Sequence, residues 1–290
     1  MNEEVKALFR ACYGGFVDMA RALLTDPELN VNFANNLDGG ERPIEVAIRT
    51  KQCEIIRLLR AHPKIDMSCV QDLASQAIET KSLEVVKAVC DDPRVEINFE
   101  GSYDNYDEDF EESIPFARCF DSQNDEMANY FVNHPRFDPT TYNNYIIIVA
   151  AREGSTQLVK KLLEYDNVDP DEFRRNLGCY DVLDIAVHFE KLKVVKVLLG
   201  DSRVDPTVDG HAALLTSIKK KGCNEIAHCL LDHYLENDID FPELDDDFYC
   251  LKDVGLIKKI LLFPSVRQNL QWKKCNPVIR RVLFSMVPKY

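Results

Sequence analysis

The sequence predicts an all-α fold, a solenoid of about seven helix-turn-helix units with a helical C-terminal cap. Short apolar patterns at helical spacing occur in pairs. A turn of similar composition closes each pair, and the whole arrangement recurs along the chain. Helices of about two to three turns are marginal alone in water. Each pair is therefore expected to bury its apolar face against the next pair.

The clearest pair spans residues 181–207. Apolar residues at helical spacing begin at Leu183 for the first helix and at Val194 for the second. The turn Asp-Ser-Arg-Val-Asp-Pro at 201–206 closes the unit. Similar turns recur, and each contains one apolar residue: Leu29, Ile65, Val95, Phe137, Val168, Val204 and Ile239. Successive gaps between these residues are 36, 30, 42, 31, 36 and 35 residues.

A period of about 33 residues with two helices and a turn is the ankyrin period. The chain resembles a divergent ankyrin-repeat protein over residues 1–241, and its turns resemble those of ankyrin proteins from large amoebal viruses and protists. The family's glycine is kept at Gly15, Gly154 and Gly222, whereas its histidine is missing from every unit. The small helix-packing position is occupied by Ala11, Ala47, Ala77, Cys119, Ala150, Ala186 and Ile218.

The chain divides into an ankyrin-like array at 1–252, with an acidic insertion at 99–114, and a basic helical cap or tail at 253–290. The tail contains two apolar segments, 254–262 and 278–284, that read as helices. We expect Trp272 to pack between them. A repeat array needs a terminal cap with a polar outer face, and this helix pair is the candidate.

Charge is distributed unevenly along the chain. The net charge is −14, but no acidic residue follows Asp253 and eight Lys and Arg do, so residues 1–253 carry −22. An acidic body makes nucleic acid an improbable partner, because phosphate contacts need Lys and Arg. It favours a basic protein partner.

The sequence also predicts a cytoplasmic protein, in the host cytoplasm if the protein is viral. No run of 18 apolar residues suggests a membrane span, and the acidic start does not read as a signal peptide. Ten irregularly spaced cysteines indicate reduced thiols rather than a disulfide framework.

We find no pattern that predicts an enzyme, a cofactor, a metal site or a small-molecule substrate. The chain has no glycine-rich phosphate loop, no Gly-x-Ser-x-Gly and no His-Glu-x-x-His. Cys229 and His233 share a helix face, so a zinc site is imaginable. A structural helix is the favoured interpretation, because the other spacings in this stretch match no zinc motif.

The ankyrin resemblance implies a concave binding surface made by the exposed ends of the first helices. Carried over unit by unit, its positions are Tyr13, Arg49, Thr50, Glu79, Thr80, Asp121, Ser122, Arg152, Glu153, His188, Phe189, Lys220 and Lys221. Tyr13 and Phe189 are the expected anchors, since exposed aromatic residues dominate interfaces. In the acidic insertion, Tyr103, Tyr106 and Asp107 form a second candidate element. A solvated loop is the alternative there, and a calcium loop lacks the EF-hand spacing.

Three functions follow from these observations. The first is a protein-binding scaffold or adaptor. The second is a substrate adaptor of a cullin-type ubiquitin ligase, since Cys275–Leu283 resembles the elongin-binding box of some ankyrin proteins. The third is contact between the basic tail and nucleic acid or an anionic membrane, through Lys273–Lys274 and Arg280–Arg281. The oligomeric state stays open.

Overall fold

The structure is a computed structural model that describes residues 3–35, 40–67, 73–98, 119, 125–170 and 181–286. These residues form sixteen α-helices and no β-strand, which confirms the all-α prediction for this part of the chain. The chain separates into two compact units, Met1–Thr141 and Tyr142–Tyr290. The boundary near residue 252, taken from sequence, stays a prediction.

In unit 1, helices alternate with short turns. Its helices are α1 (Glu3–Gly14), α2 (Val17–Leu23), α3 (Pro43–Arg49), α4 (Cys53–Ala61), α5 (Leu73–Glu79), α6 (Leu83–Cys90) and α7 (Asp125–Val132). Helix α1 packs on α2 and α3, and α3 packs on α4 and α5. Helix α2 packs on α4, and α4 on α6. First helices therefore stack on first helices, and second helices on second helices.

Unit 2 continues the same alternation. Its helices are α8 (Thr141–Glu153), α9 (Thr156–Leu163), α10 (Val182–His188), α11 (Leu192–Leu198), α12 (Val208–Lys219), α13 (Asn224–Glu236), α14 (Val254–Ile260), α15 (Pro264–Asn269) and α16 (Pro277–Met286). Helix α10 packs on α11 and α12, and the second helices α9, α11 and α13 stack in order. Helix α14 then packs on α13 and on α16.

Small or β-branched residues fill the core where helices meet. Ala11, Ala47, Ala77, Ala150 and Ala186 are each 0 % exposed, as the repeat pattern predicts. The pair α12–α13 differs, because Ser217 is fully buried there while Ile218 is half-buried. Helix α12 ends three residues before Gly222, whereas α10 ends two before Glu190. The buried face of α12 is therefore displaced by one residue along the helix relative to that of α10.

The recurring turn has the same backbone hydrogen bond in six of its seven copies. In each, the N–H of the apolar residue donates to the carbonyl three residues earlier, as in Leu29 to Asp26, Ile65 to His62, Val95 to Asp92, Phe137 to His134, Val168 to Tyr165 and Val204 to Asp201. Ile239 instead donates to Tyr234, five residues back. The repeat seen in sequence is thus a repeat in local structure.

A left-handed residue lies two positions before the second helix of six pairs. Its φ is 69° at Gly15, 59° at Lys51, 55° at Lys81, 83° at Gly154, 60° at Glu190 and 94° at Gly222. Where the family's glycine is replaced, a lysine or glutamate adopts the left-handed conformation. This costs a non-glycine residue on the order of 1 kcal/mol, so neighbouring packing holds the turn in place.

Side chains in the turns satisfy backbone groups of adjacent turns. Asn32 Nδ2 donates to the Lys64 carbonyl at 2.7 Å, and its Oδ1 accepts from the Asp66 N–H at 3.0 Å. Asn98 makes the same clamp, with Nδ2 to the Arg136 carbonyl at 2.6 Å and Oδ1 from the Asp138 N–H at 2.8 Å. Each clamp connects two turns that are 30 or more residues apart in sequence.

Two arginines donate hydrogen bonds to backbone carbonyls at the end of a helix and in the turn that follows it. The Arg203 guanidinium donates to the carbonyls of Leu163 at 2.6 Å, Tyr165 at 3.0 Å and Val168 at 2.8 Å. In unit 1, Arg136 reaches the matching carbonyls of Cys90, Asp92 and Val95. Cys90 and Leu163 are the last residues of α6 and α9, and the last carbonyls of a helix have no partner within it. The guanidinium groups supply that partner and also bind the turn that follows.

Asp92 is the central carboxylate of the unit 1 turns. Its side chain is 4 % exposed and accepts from Arg60 Nε at 3.0 Å and from Arg94 Nη2 at 2.7 Å. Hydrogen bonds from Arg94 first, then from Arg60, hold the pKa of this carboxyl well below its usual range. Desolvation by burial opposes that shift and is outweighed.

Two substitutions, one that removes a glycine and one that introduces a glycine, test the left-handed conformation of the residue before the second helix. We expect Gly154→Ala to destabilise the protein by about 1–2 kcal/mol, because φ is 83° and the new Cβ would lie 2.9 Å from Lys191 Cδ. We expect Lys81→Gly to leave stability unchanged or raise it by up to about 0.5 kcal/mol, since relief of the left-handed cost offsets the entropy of glycine. Urea unfolding at pH 7 measures both, and a clear loss for Lys81→Gly would contradict the turn assignment.

Stability should also depend on pH through Asp92. Its folded pKa is depressed, so its contribution is complete above the unfolded pKa of about 3.9 and is lost as pH falls below it. We expect Asp92→Asn to destabilise the protein by roughly 3 kcal/mol at pH 7 and to flatten the decline in stability between about pH 5 and pH 2. Urea unfolding across this range checks it, with the exposed Asp18→Asn as control; equal acid profiles for both variants would refute the role of Asp92.

Candidate functional site

In unit 1, the predicted residues Tyr13 and Arg49 meet at the ends of the first helices. The Arg49 guanidinium lies over the Tyr13 ring, 5.5 Å from its centroid, and Nη2 is 3.4 Å from the phenol oxygen. Glu41 holds the other edge of the guanidinium through Nε–Oε1 at 2.8 Å and Nη2–Oε2 at 2.7 Å. These hydrogen bonds raise the pKa of Arg49 above its usual value. Tyr13 is 43 % exposed and rests on a fixed cation.

A groove of about 440 Å³ lies beside Arg49, and the predicted residues Glu79 and Thr80 line it together with Glu41, Glu45, Ile48, Lys51 and Gln76. Glu45 is oriented there, because its carboxylate accepts from the Arg42 N–H at 2.7 Å and from Gln76 Nε2 at 3.3 Å. Three carboxylates face two cations in this groove. It is suited to a partner group that donates hydrogen bonds or carries positive charge.

Thr50 has a structural part in this region. Its hydroxyl lies 2.9 Å from the Cys12 carbonyl and 2.8 Å from the Val46 carbonyl. It therefore connects the first two helix pairs, and its hydroxyl is less available to a partner than the ring of Tyr13 is.

In unit 2, the predicted residues His188, Phe189 and Lys220 come together. The His188 and Phe189 rings pack edge to face with centroids 5.1 Å apart, and Phe189 is 43 % exposed. Lys220 Nζ donates to the His188 carbonyl and lies 3.3 Å from a Glu190 carboxylate oxygen. The ammonium thereby covers a carbonyl at the end of α10 and fixes the base of the aromatic pair.

The remaining predicted residues fall into two groups. Arg152 Nε is 3.0 Å from Glu153 Oε1, with both side chains less than a third exposed, so their charges offset one another. Tyr103, Tyr106, Asp107, Asp121 and Ser122 lie outside the described residues. The acidic insertion therefore stays a prediction.

The second helices carry two grooves that sequence reasoning missed. One, of about 680 Å³, lies between α6 and α7, where Tyr130 donates to Asp91 Oδ1 at 2.6 Å. The other, of about 550 Å³, lies between α11 and α13. The exposed residues of second helices carry no family signal, so the repeat pattern could not point to these grooves.

The groove between α11 and α13 contains Cys229 and His233, the pair considered for zinc. Burial raises the pKa of the Cys229 thiol, which keeps it protonated and makes it a poor ligand or nucleophile. Within the described residues, no group of three or more His, Cys, Asp or Glu is placed to hold a metal ion. The eight described cysteines are all free.

The C-terminal helices correct one expectation and constrain another. Trp272 does not pack between α14 and α16; it is 47 % exposed, because aliphatic residues such as Ile257 and Ile279 fill the helix contact. Cys275 is 3 % exposed and Ile279 is 0 % exposed. Cys275 and Ile279 of the segment that resembles an elongin-binding box are therefore enclosed, whereas Arg280 and Leu283 are partly exposed. Helix α16 would have to separate from its neighbours to present the enclosed two.

The fold and these surfaces define an all-α protein built from recurring helix pairs, with exposed polar and aromatic side chains at the pair ends. No helix in the described ranges combines the length and the apolar character that crossing a membrane requires. Comparison with models of known protein families finds no match, and a search of curated proteins finds no significantly similar relative.

The candidate surface should be dispensable for folding. We expect Phe189→Ala to change the free energy of unfolding by less than about 0.5 kcal/mol, as at other exposed positions. Val195→Ala, at 0 % exposure on the next helix, should cost about 2 kcal/mol, because it removes two buried methyl groups. Urea unfolding of both variants measures the difference, and a loss above about 1 kcal/mol for Phe189→Ala would make that ring structural.

Proposed function

We propose that this chain is a divergent ankyrin-repeat protein that acts as a non-enzymatic scaffold or adaptor and binds another protein through the ends of its first helices. One observation carries the proposal. In six helix pairs, a polar or aromatic side chain occupies the position two residues before the left-handed turn residue: Tyr13, Arg49, Glu79, Arg152, His188 and Lys220. The side chains at this position differ in charge and polarity from pair to pair, while the backbone that presents them stays the same.

The side chains of this row are held in place before any partner arrives. Arg49 is fixed between Glu41 and Tyr13, and Lys220 is fixed on the His188 carbonyl. Ordering long side chains on binding costs about 0.5–1.5 kcal/mol each. Contacts that order them in the free protein reduce that cost, which favours a binding role.

Charge indicates the chemistry of the partner. Residues 1–141 contain 14 Lys and Arg against 27 Asp and Glu, so unit 1 carries −13 of the total. The groove beside Arg49 is lined by Glu41, Glu45 and Glu79. We propose that a basic segment of the partner binds this groove, while Tyr13 and Phe189 supply apolar anchors. The free cysteines fit a reducing compartment, so we place this binding in the cytoplasm.

The partner can be found by affinity purification of the tagged chain from its native cells, followed by mass spectrometry, and its Kd then measured with purified protein. We expect Phe189→Ala and Tyr13→Ala each to weaken binding about tenfold or more, since truncating a hot-spot aromatic costs 2 kcal/mol or above. Lys160→Ala and Lys193→Ala, at exposed positions on second helices, are the matched controls.

The variants separate two outcomes. If the first-helix row binds the partner, the two aromatic substitutions weaken binding and the two lysine controls do not. If the controls weaken binding and the aromatic substitutions leave it intact, the partner uses the exposed faces of the second helices, and the proposed surface is wrong.

A further inference from the structure

An exposed apolar cluster lies at the end of unit 2, away from the first-helix row in sequence. Trp272 is 47 % exposed and Phe284 is 69 % exposed. The Trp272 and Phe284 rings meet edge to face, with centroids 5.7 Å apart and planes at 85°. Large apolar side chains grouped on a surface mark an interaction site more often than isolated ones do.

A cation without a carboxylate partner lies on this aromatic pair. The Arg280 guanidinium lies over the Trp272 ring, 5.5 Å from its centroid. Within the described part of the chain, no carboxylate lies within 4.0 Å of Lys273, Arg280 or Arg281. Lys274 differs from these three, because it pairs with Asp246 at 2.8 Å. Arg280 thus brings a positive charge without a counter-charge to the aromatic pair, and Lys273 and Arg281 are next in sequence to Trp272 and Arg280.

We infer that Trp272, Phe284 and the cations Lys273, Arg280 and Arg281 form a docking surface for a short acidic peptide segment of another protein. The segment would carry an aromatic or leucine side chain between its carboxylates. The apolar side chain would pack on the Trp272–Phe284 pair, and the carboxylates would pair with the guanidinium groups, which bind carboxylates in a bidentate manner. This surface is separate from the first-helix row and does not depend on it.

A peptide fits this surface better than a nucleic acid or an anionic membrane does. Three unpaired cations give few phosphate contacts, whereas tight electrostatic binding to nucleic acid uses about 6–10 of them. On an anionic membrane, each Lys or Arg contributes only about 1 kcal/mol. The acidic segment 243–247 is held close to this part of the chain, since Asp246 pairs with Lys274, two residues after Trp272. A long polyanion would be repelled there, whereas a short peptide can avoid these carboxylates.

The structure allows a direct test, because Trp272 is the only tryptophan in the chain. The peptide Asp-Glu-Leu-Phe-Asp-Glu is titrated into the full-length protein while tryptophan emission is recorded, and a fluorescein-labelled copy is followed by anisotropy. We expect a saturable change in emission, and weaker binding in higher salt. The uncharged control Asn-Gln-Leu-Phe-Asn-Gln should bind at least tenfold more weakly.

Substitutions identify which residues of the protein contact the peptide. Trp272→Ala and the double variant Arg280→Gln with Arg281→Gln should each weaken anisotropy binding about tenfold, and Lys193→Gln, an exposed lysine on α11, should not. Trp272→Phe retains an aromatic ring and should recover much of the affinity, which separates lost contact from lost folding. Circular dichroism of every variant checks that the helices are retained.

Four results would overturn the inference. The first is no change in emission or anisotropy up to about 1 mM peptide. The second is equal binding of the charged and uncharged peptides. The third is tighter binding of oligo-dT or of vesicles containing phosphatidylserine, with the same dependence on Trp272, which would assign the patch to a polyanion. The fourth is dimerisation that Trp272→Ala abolishes in sedimentation, which would make a second copy of this chain the occupant.

Discussion

The structure depends on satisfying the backbone groups at the ends of many short helices. An α-helix leaves about four carbonyls without internal partners at its C-terminus, and most helices here have only 6–13 residues. Much of the polar backbone of each pair is therefore at a helix end. The guanidinium groups of Arg136 and Arg203 bind the last helix carbonyls, those of Cys90 and Leu163. The amides of Asn32 and Asn98 bind backbone groups of the adjacent turns. Neighbouring helix pairs thus stabilise one another through backbone hydrogen bonds as well as through apolar contacts.

This constraint also positions the candidate binding surface. Each first helix ends against a left-handed residue, and the chain then reverses into the second helix. The reversal brings out the side chains that come just before it, such as Tyr13, Arg49 and Phe189, while Ala11, Ala47 and Ala186 two or three positions earlier stay buried. The turn geometry that helix packing requires therefore determines which positions carry exposed side chains. Their chemical identity is free to vary, so the fold predicts the place of a surface better than its partner.

Much of the fold could be predicted from sequence because it rests on periodicity. The pairs Ile55–Ile56 and Val194–Val195 are fully buried, and the apolar turn residues share one backbone hydrogen bond in six copies. The exceptions have local causes. Trp272 was expected inside the cap, but branched aliphatic residues already fill the contact between α14 and α16. Lys51, Lys81 and Glu190 give no sequence sign of a left-handed turn, because the surrounding packing imposes that conformation on them. The grooves between second helices depend on how the helices are spaced, which residue patterns do not encode.

The surfaces of this protein differ in how their charges are compensated. Along the first-helix row, Arg49, Arg152 and Lys220 each have a carboxylate of the same chain as a neighbour. These internal pairs compensate the cations of the row, so a partner gains little from pairing with them. The groove beside Arg49 still holds one carboxylate more than its cations, which favours a basic group of the partner. At the Trp272–Phe284 pair, the guanidinium of Arg280 is stacked on a ring and has no carboxylate partner within the described residues. A carboxylate of a partner that pairs with this guanidinium would therefore add a favourable electrostatic interaction on binding. The first-helix row is therefore suited to a partner that supplies apolar anchors and a basic segment, whereas the C-terminal patch is suited to a partner that supplies carboxylates. Binding at the patch depends on cations that the chain leaves without carboxylate partners, so we expect it to weaken in higher salt.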